Sequence, residues 1–157
     1  MATATYTPIA TTTVSSATSA VTFNSISNQY TDLRLVLTGS DTNNYVLIRF
    51  NNDSSAIYSR TFLYGDGTNA YSNNSSNITS LYCTANSTSF GTLDIMNANN
   101  TTTYKTSLVE ETMTNEVSRT VYLYRSTSAI SRIDILSPSG TNSITSGTYT
   151  LYGIKAA

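Results

Sequence analysis

The chain has 157 residues, a mass of 16.9 kDa and a formal net charge of −1 at pH 7. Ser, Thr and Asn number 24, 29 and 16, while Asp, Glu, Lys and Arg make up only 11% of the chain, against roughly 25% in an ordinary globular domain. His and Trp are absent and Cys83 is the single cysteine, which removes the usual general base, the commonest metal ligand, an intrachain disulfide and any Cys-based metal cluster. Lys and Arg are scattered singly, so no basic stripe is offered to nucleic acid or to an anionic membrane. No run approaches the roughly 20 apolar residues of a membrane-spanning helix. Met1 to Tyr6 has neither a basic start nor an apolar signal core, so synthesis in a cytoplasm without general secretory export is expected. The length suits one hydrophobic core and not two. The expected organisation is an N-terminal arm or edge strand over 1–19, followed by a single domain over 20–157.

Period-two patterns recur from there on. Val21 and Phe23 share a face; Leu33, Leu35 and Leu37 share the next, and they mark the buried side of a central strand. Val46, Ile48 and Phe50 oppose Tyr45, Leu47 and Arg49. Leu81 with Cys83, Leu93 with Ile95, and Ile133 with Ile135 mark further strands. Val117, Val121 and Leu123 line one side of a segment whose other side carries Tyr122 and Tyr124, and Tyr149 and Leu151 mark the last strand. Gly39-Ser40-Asp41, Asn51-Asn52-Asp53, Gly65-Asp66-Gly67, Asn97 to Asn100 and Ser137-Pro138-Ser139-Gly140 separate the runs. These residue types tolerate φ > 0 or bond their own backbone, so each cluster can close a turn. The pattern predicts an all-β chain, an antiparallel β-sandwich or barrel of about 8–10 strands. Two segments are less regular. Ser107 to Val117 fits a short capped helix, but the alternation from Tyr104 to Val109 and from Val117 to Tyr124 around Asn115 favours a hairpin. Thr68 to Asn77 has few large apolar residues and reads as a long loop.

The candidate chemistry is sparse. Asp32, Asp41, Asp53, Asp66, Asp94 and Asp134 are isolated, and only Glu110 and Glu111 adjoin. Adjacent strand residues face opposite ways, so the two do not form the carboxylate pair that glycoside hydrolysis requires. Turn chemistry and solvated strand faces account for the acids. Asp66 in Gly65-Asp66-Gly67-Thr68-Asn69 could contribute to a calcium site, but no second carboxylate lies close in sequence and a turn is the simpler reading. Cys83 has no His or basic neighbour and reads as a buried, unreactive thiol. Catalytic, cofactor-binding and metal-binding residues are all expected to be none. Twelve tyrosines stand against four phenylalanines. For Tyr122 and Tyr124 the simplest reading is half-coverage of a sheet face; Tyr58, Tyr64 and Tyr71 lie in or near the loop-rich middle and are candidates for an interface or a sugar site.

Several stretches taken in order carry a resemblance. They are Tyr6-Thr7-Pro8-Ile9-Ala10-Thr11-Thr12-Thr13, Val21-Thr22-Phe23-Asn24-Ser25-Ile26 and Tyr30-Thr31-Asp32-Leu33-Arg34-Leu35-Val36-Leu37. Arg49-Phe50-Asn51-Asn52-Asp53, Tyr58-Ser59, Tyr104-Lys105-Thr106 and Tyr149-Thr150-Leu151-Tyr152-Gly153-Ile154-Lys155 complete the set. The order resembles a group of small proteins of tailed bacteriophages, especially phages of aquatic bacteria and cyanobacteria. The resemblance implies a jelly-roll-like sandwich and a non-enzymatic virion role, and no catalytic motif comes with it. The expected function is a capsid decoration (cement) protein bound to the major capsid protein, made in the bacterial host cytoplasm and located on the virion. A homotrimer is favoured over a dimer, and the Thr/Ser-rich arm before Val21 would lie along a neighbour. The alternative is a tail-fibre or receptor-binding module that contacts host glycans. A hydrolase on the same scaffold ranks third, since His and paired carboxylates are lacking.

Overall fold

A computed structural model describes residues 6–86, 89–113 and 115–155. Met1 to Thr5 of the expected arm therefore lie outside the described residues. Twelve strands follow in chain order: β1 (Tyr6–Val14), β2 (Ala20–Phe23), β3 (Asp32–Asp41), β4 (Tyr45–Phe50), β5 (Tyr58–Gly65), β6 (Ala70–Ile78), β7 (Leu81–Thr84), β8 (Phe90–Met96), β9 (Lys105–Thr112), β10 (Val117–Tyr124), β11 (Ile133–Leu136) and β12 (Ile144–Ile154). They form an eight-stranded sheet in the order β1-β12-β3-β8-β9-β10-β5-β6 and a four-stranded sheet in the order β2-β11-β4-β7. All pairings are antiparallel. From β2 onward the chain passes repeatedly between the sheets, the path of a jelly-roll-like sandwich.

Alternation builds the core. In β3 the pattern puts Leu33, Leu35 and Leu37 inside, and they face Val46, Ile48 and Phe50 of β4, Leu81 and Cys83 of β7, and Ile133 and Ile135 of β11 in one buried cluster. Tight turns hold the strands in register. Asn51 and Asn52 both have φ near +55° (53° and 57°), and Asp53 N–H donates to Phe50 O at 2.9 Å, which is a type I′ turn. The Asn51 side chain then donates to Ala129 O at 2.9 Å and accepts from Ser131 N–H at 2.9 Å. One asparagine thereby closes its own turn and ties down the chain entering β11.

Five expectations change or sharpen. Lys105–Thr112 and Val117–Tyr124 form the hairpin and not the helix. The segment expected as a loop over Thr68 to Asn77 is mostly strand β6, whose Ser and Asn side chains are exposed while its backbone pairs with β5. A strand at a sheet edge, with solvent on both faces, needs no apolar residues to be held by its ladder. β5, which lies between β10 and β6, is the other strand that the alternation does not mark, and the described residues hold twelve strands against the 8–10 expected. Tyr6–Val14 is an edge strand paired along its length with β12 of the same chain. Tyr122 and Tyr124 are fully buried, and it is Val117 and Val121 that are exposed.

The tyrosines go inside because their hydroxyls find partners there. Tyr122 Oη donates to Tyr82 O at 3.1 Å and accepts from Tyr82 N–H at 3.0 Å. Tyr124 Oη donates to the Asp53 carboxylate at 3.2 Å, and its ring stacks on Tyr58 with centroids 4.8 Å apart. A tyrosine with a satisfied hydroxyl buries more apolar area than valine. Lys105 is buried on the same face; its Nζ donates to Thr103 O at 2.8 Å and Thr127 O at 3.2 Å, and burial pulls its pKa down.

Candidate functional site

Two regions stand apart from the packed core. The first is the outer face of the eight-stranded sheet. Directly paired residues share a face, so the registers lay out its rows. One row runs Val36, Thr92, Glu110, Arg119, Leu63 and Ser72, and the next runs Thr38, Phe90, Thr112, Val117, Gly65 and Ala70. A groove of about 780 Å³ lies across these rows, lined by Leu63, Phe90, Thr92, Glu110, Val117 and Arg119 among others. Leu63 is 58% exposed, Phe90 45% and Val117 62%, with Val121 and Met96 further along the same face. Such a contiguous apolar surface is uncommon on a free monomer. Its polar feature is the ion pair between Arg119 and Glu110.

The second region is the mouth of the sandwich on the inner side, where β5 and β6 overhang β7. Tyr71 and Tyr64 are cross-strand partners with centroids 4.6 Å apart, and Phe62 continues the stack at 6.0 Å. The Arg60 guanidinium lies between the rings of Phe62 (5.1 Å) and Tyr82 (4.8 Å), and Tyr45 adjoins Tyr82 at 5.8 Å. A cleft of about 210 Å³ opens beside this row, with Glu111 and Ser118 also in its wall. Arg60 Nε is buried without a hydrogen-bond partner among the described residues. The rings of Phe62, Tyr64 and Tyr71 are nearly parallel, 17–18° apart, so they cover one another's faces and turn their edges to solvent. That arrangement stiffens the hairpin more than it provides a flat platform for a sugar ring.

The acids flagged by the sequence do not converge. Glu110 points out to Arg119, and Glu111 points in, where it accepts from Thr84 N–H and from Ser118 Oγ (2.9 Å). Asp32 accepts from Asn97 N–H at 2.7 Å and Asp94 pairs with Arg34. Asp134, expected on a solvated face, is buried and held by Arg132 and Thr22. Asp41 is also buried; it ends β3 and opens the turn closed by Asn44 N–H on its carbonyl, and its carboxylate accepts from Asn43 N–H and Ser143 Oγ, both at 2.7 Å. Asp66 accepts from Thr68 N–H (2.8 Å) and Asn69 N–H (2.6 Å), and these backbone donors hold its pKa below the usual carboxylate range. Asp53 is held low chiefly by the Ser55 hydroxyl. Cys83 is buried, and burial pushes its thiol well up, away from the thiolate form a nucleophile needs. Carboxylates already bonded to fixed donors are structural elements; Glu111 and Glu116 both line the inner cleft, and Glu111 is tied to Thr84 N–H and Ser118 Oγ.

No protein-family model and no curated protein matches the chain. Among solved structures, a protein of unknown function from Shewanella oneidensis MR-1 aligns over 97% of this chain and 71% of its own, at 9% identity and a TM-score of 0.26. A likeness at that level carries no argument about either fold or function.

Proposed function

We propose that the chain is a non-enzymatic structural protein of a phage virion, a capsid decoration protein seated on the major capsid protein through the outer face of its eight-stranded sheet. The observation that carries this reading is the exposed apolar surface around Leu63, Phe90 and Val117. It sits on rigid strands in a protein otherwise covered by uncharged Ser, Thr and Asn. Burial of that surface against a partner removes the feature that fits a free monomer least. The phage setting rests on the sequence resemblance. The test has two parts. Labelled antibody or electron microscopy of purified virions should place the protein over the capsid lattice, in copy number matching lattice sites. Leu63→Glu with Val117→Glu should keep the fold, since both side chains are exposed, and should abolish binding to stripped capsids. Location at the tail tip in a few copies would refute the decoration role.

A second reading, a receptor-binding module for host glycans, draws on one observation: the unpartnered Arg60 Nε in the aromatic mouth. It ranks second because the stacked rings there offer edges and not faces. Binding on a glycan array that is lost in Arg60→Met would promote it.

A further inference from the structure

A sheet edge presents unpaired N–H and C=O groups, and proteins usually blunt such edges. Among the described residues the two sheets have four edges. β7 is short, and Tyr122 and Glu111 from the facing sheet occupy the outward groups of Tyr82 and Thr84. β2 has four residues. β1 carries Pro8 and a register break between Pro8 and Ala10. β6 is longer than β2 and β7 and has no proline, and its register break falls at the far end, between Ser75 and Ile78. Its nine residues, Ala-Tyr-Ser-Asn-Asn-Ser-Ser-Asn-Ile, include no Pro, no Gly and no charge, and its pairing with β5 is regular from Ala70 to Ser75.

The free groups on that edge can be assigned. Asp66 N–H donates to Asn69 O at 3.2 Å, which makes Asp66 and Asn69 a hydrogen-bonded pair. Such pairs alternate along an antiparallel ladder, so Tyr71, Asn73 and Ser75 bond to β5 while Ala70, Ser72 and Asn74 turn their N–H and C=O outward. Asn74 N–H is covered by the Asn73 side chain at 2.7 Å, an exposed amide that an incoming strand can displace.

We infer that β6 pairs antiparallel with β6 of a second copy of this chain, centred on Ser72 opposite its own counterpart, to give a two-fold dimer with one continuous sixteen-stranded sheet. Identical strands meeting antiparallel generate a two-fold axis and an isologous contact. This register sets Ala70 opposite Asn74 and Ser72 opposite Ser72, and it uses every outward group of the regular stretch. Lack of charge selects the occupant. Across a two-fold axis each side chain meets a strand of its own composition, and like charges directly opposite destabilise a pair; here every opposing pair is neutral. Ala70 borders the outer groove, so pairing also joins two apolar grooves across the axis. The resemblance implies a trimer ahead of a dimer; pairing at this edge favours the dimer. The inference stands apart from the capsid reading, since the dimer forms in the purified protein alone.

Sedimentation across a dilution series reaching the high micromolar range is expected to show double the 16.9 kDa monomer mass. Ser72→Lys and Ser72→Glu should each sediment as folded monomers, because two like charges then face one another on the axis. An equal mixture should restore the dimer, as a Lys–Glu pair. Ser72→Cys should cross-link under mild oxidation, since a hydrogen-bonded pair has Cα atoms about 5.5 Å apart, within disulfide range. A wild-type monomer throughout the series, a Ser72→Lys dimer, or a mixture that stays monomeric would each overturn the inference.

Discussion

The same chemical change at two buried tyrosines should have opposite signs. Tyr149 and Tyr122 are both inaccessible and both come from the inner face of the larger sheet. Tyr149 Oη has no hydrogen-bond partner among the described residues; it lies over Gly39, where an added Cβ would sit 2.6 Å from it. A buried hydroxyl left unpaired costs about 1–3 kcal/mol relative to one in water. Tyr149→Phe removes that cost and sacrifices only the dispersion contacts of one oxygen, so it should stabilise the fold by about 1 kcal/mol. Tyr122→Phe instead strands Tyr82 N–H and Tyr82 O, and should destabilise by about 2 kcal/mol. For a domain of this size these shifts correspond to roughly 2–4 °C upward and 4–8 °C downward in Tm. Thermal and guanidinium unfolding by circular dichroism at pH 7 measures both. Shifts of the same sign, or a Tyr149→Phe variant less stable than wild type by more than about 1 kcal/mol, would refute the hydrogen-bond assignment.

Alkaline stability should follow from the same residues. Burial pushes Tyr122 and Tyr149 up to about 12, whereas an unfolded tyrosine ionises near 10. Between those values the unfolded chain holds fewer protons than the folded one, so stability is full below pH 10 and is lost as pH rises toward 12; guanidinium midpoints from pH 8 upward should fall more steeply for wild type than for Tyr149→Phe. Removing residues 2–19 takes away β1, including the buried Val14, and bares the ladder of β12. Burial of that one side chain is worth roughly 1.5–3 kcal/mol, so the truncated chain should unfold at least about 2 kcal/mol more easily, and an unchanged midpoint would show that the strand adds nothing.

The sequence is most informative where one strand face is oily and the other is not. Leu33-Leu35-Leu37 and Val46-Ile48-Phe50 alternate with polar or half-exposed residues, and their buried faces are those the alternation predicts. Asn51-Asn52-Asp53 is a turn because two asparagines accept φ > 0. The reading fails where burial is not the organising force. β5 and β6 project beyond the small sheet, and their ladder asks only for backbone groups, which Ser and Asn supply as well as Val. On β10 both faces carry large side chains, and hydropathy alone places valine inside; the partners of Tyr122 and Tyr124 lie 40 and 71 residues away, too far for any local pattern to reveal. The outer groove was illegible for a similar reason. Leu63, Phe90 and Val117 come from three strands and become neighbours only through registers that no single run encodes.

The pairing of β1 with β12 also has a mechanical meaning. Tyr6 is opposite Ile154 and the two strands run antiparallel, so the outer end of the first strand and the outer end of the last meet at one corner of the sheet, where Tyr6 also stacks on Tyr152 at 4.8 Å. Traction applied between these two points would load the ladder one pair at a time, from Tyr6 inward, with each bond breaking before the next is stretched. The seam would peel like a zip and not shear as a block. Tension between the ends would thus detach β1 at low force, and the core strands would remain closed.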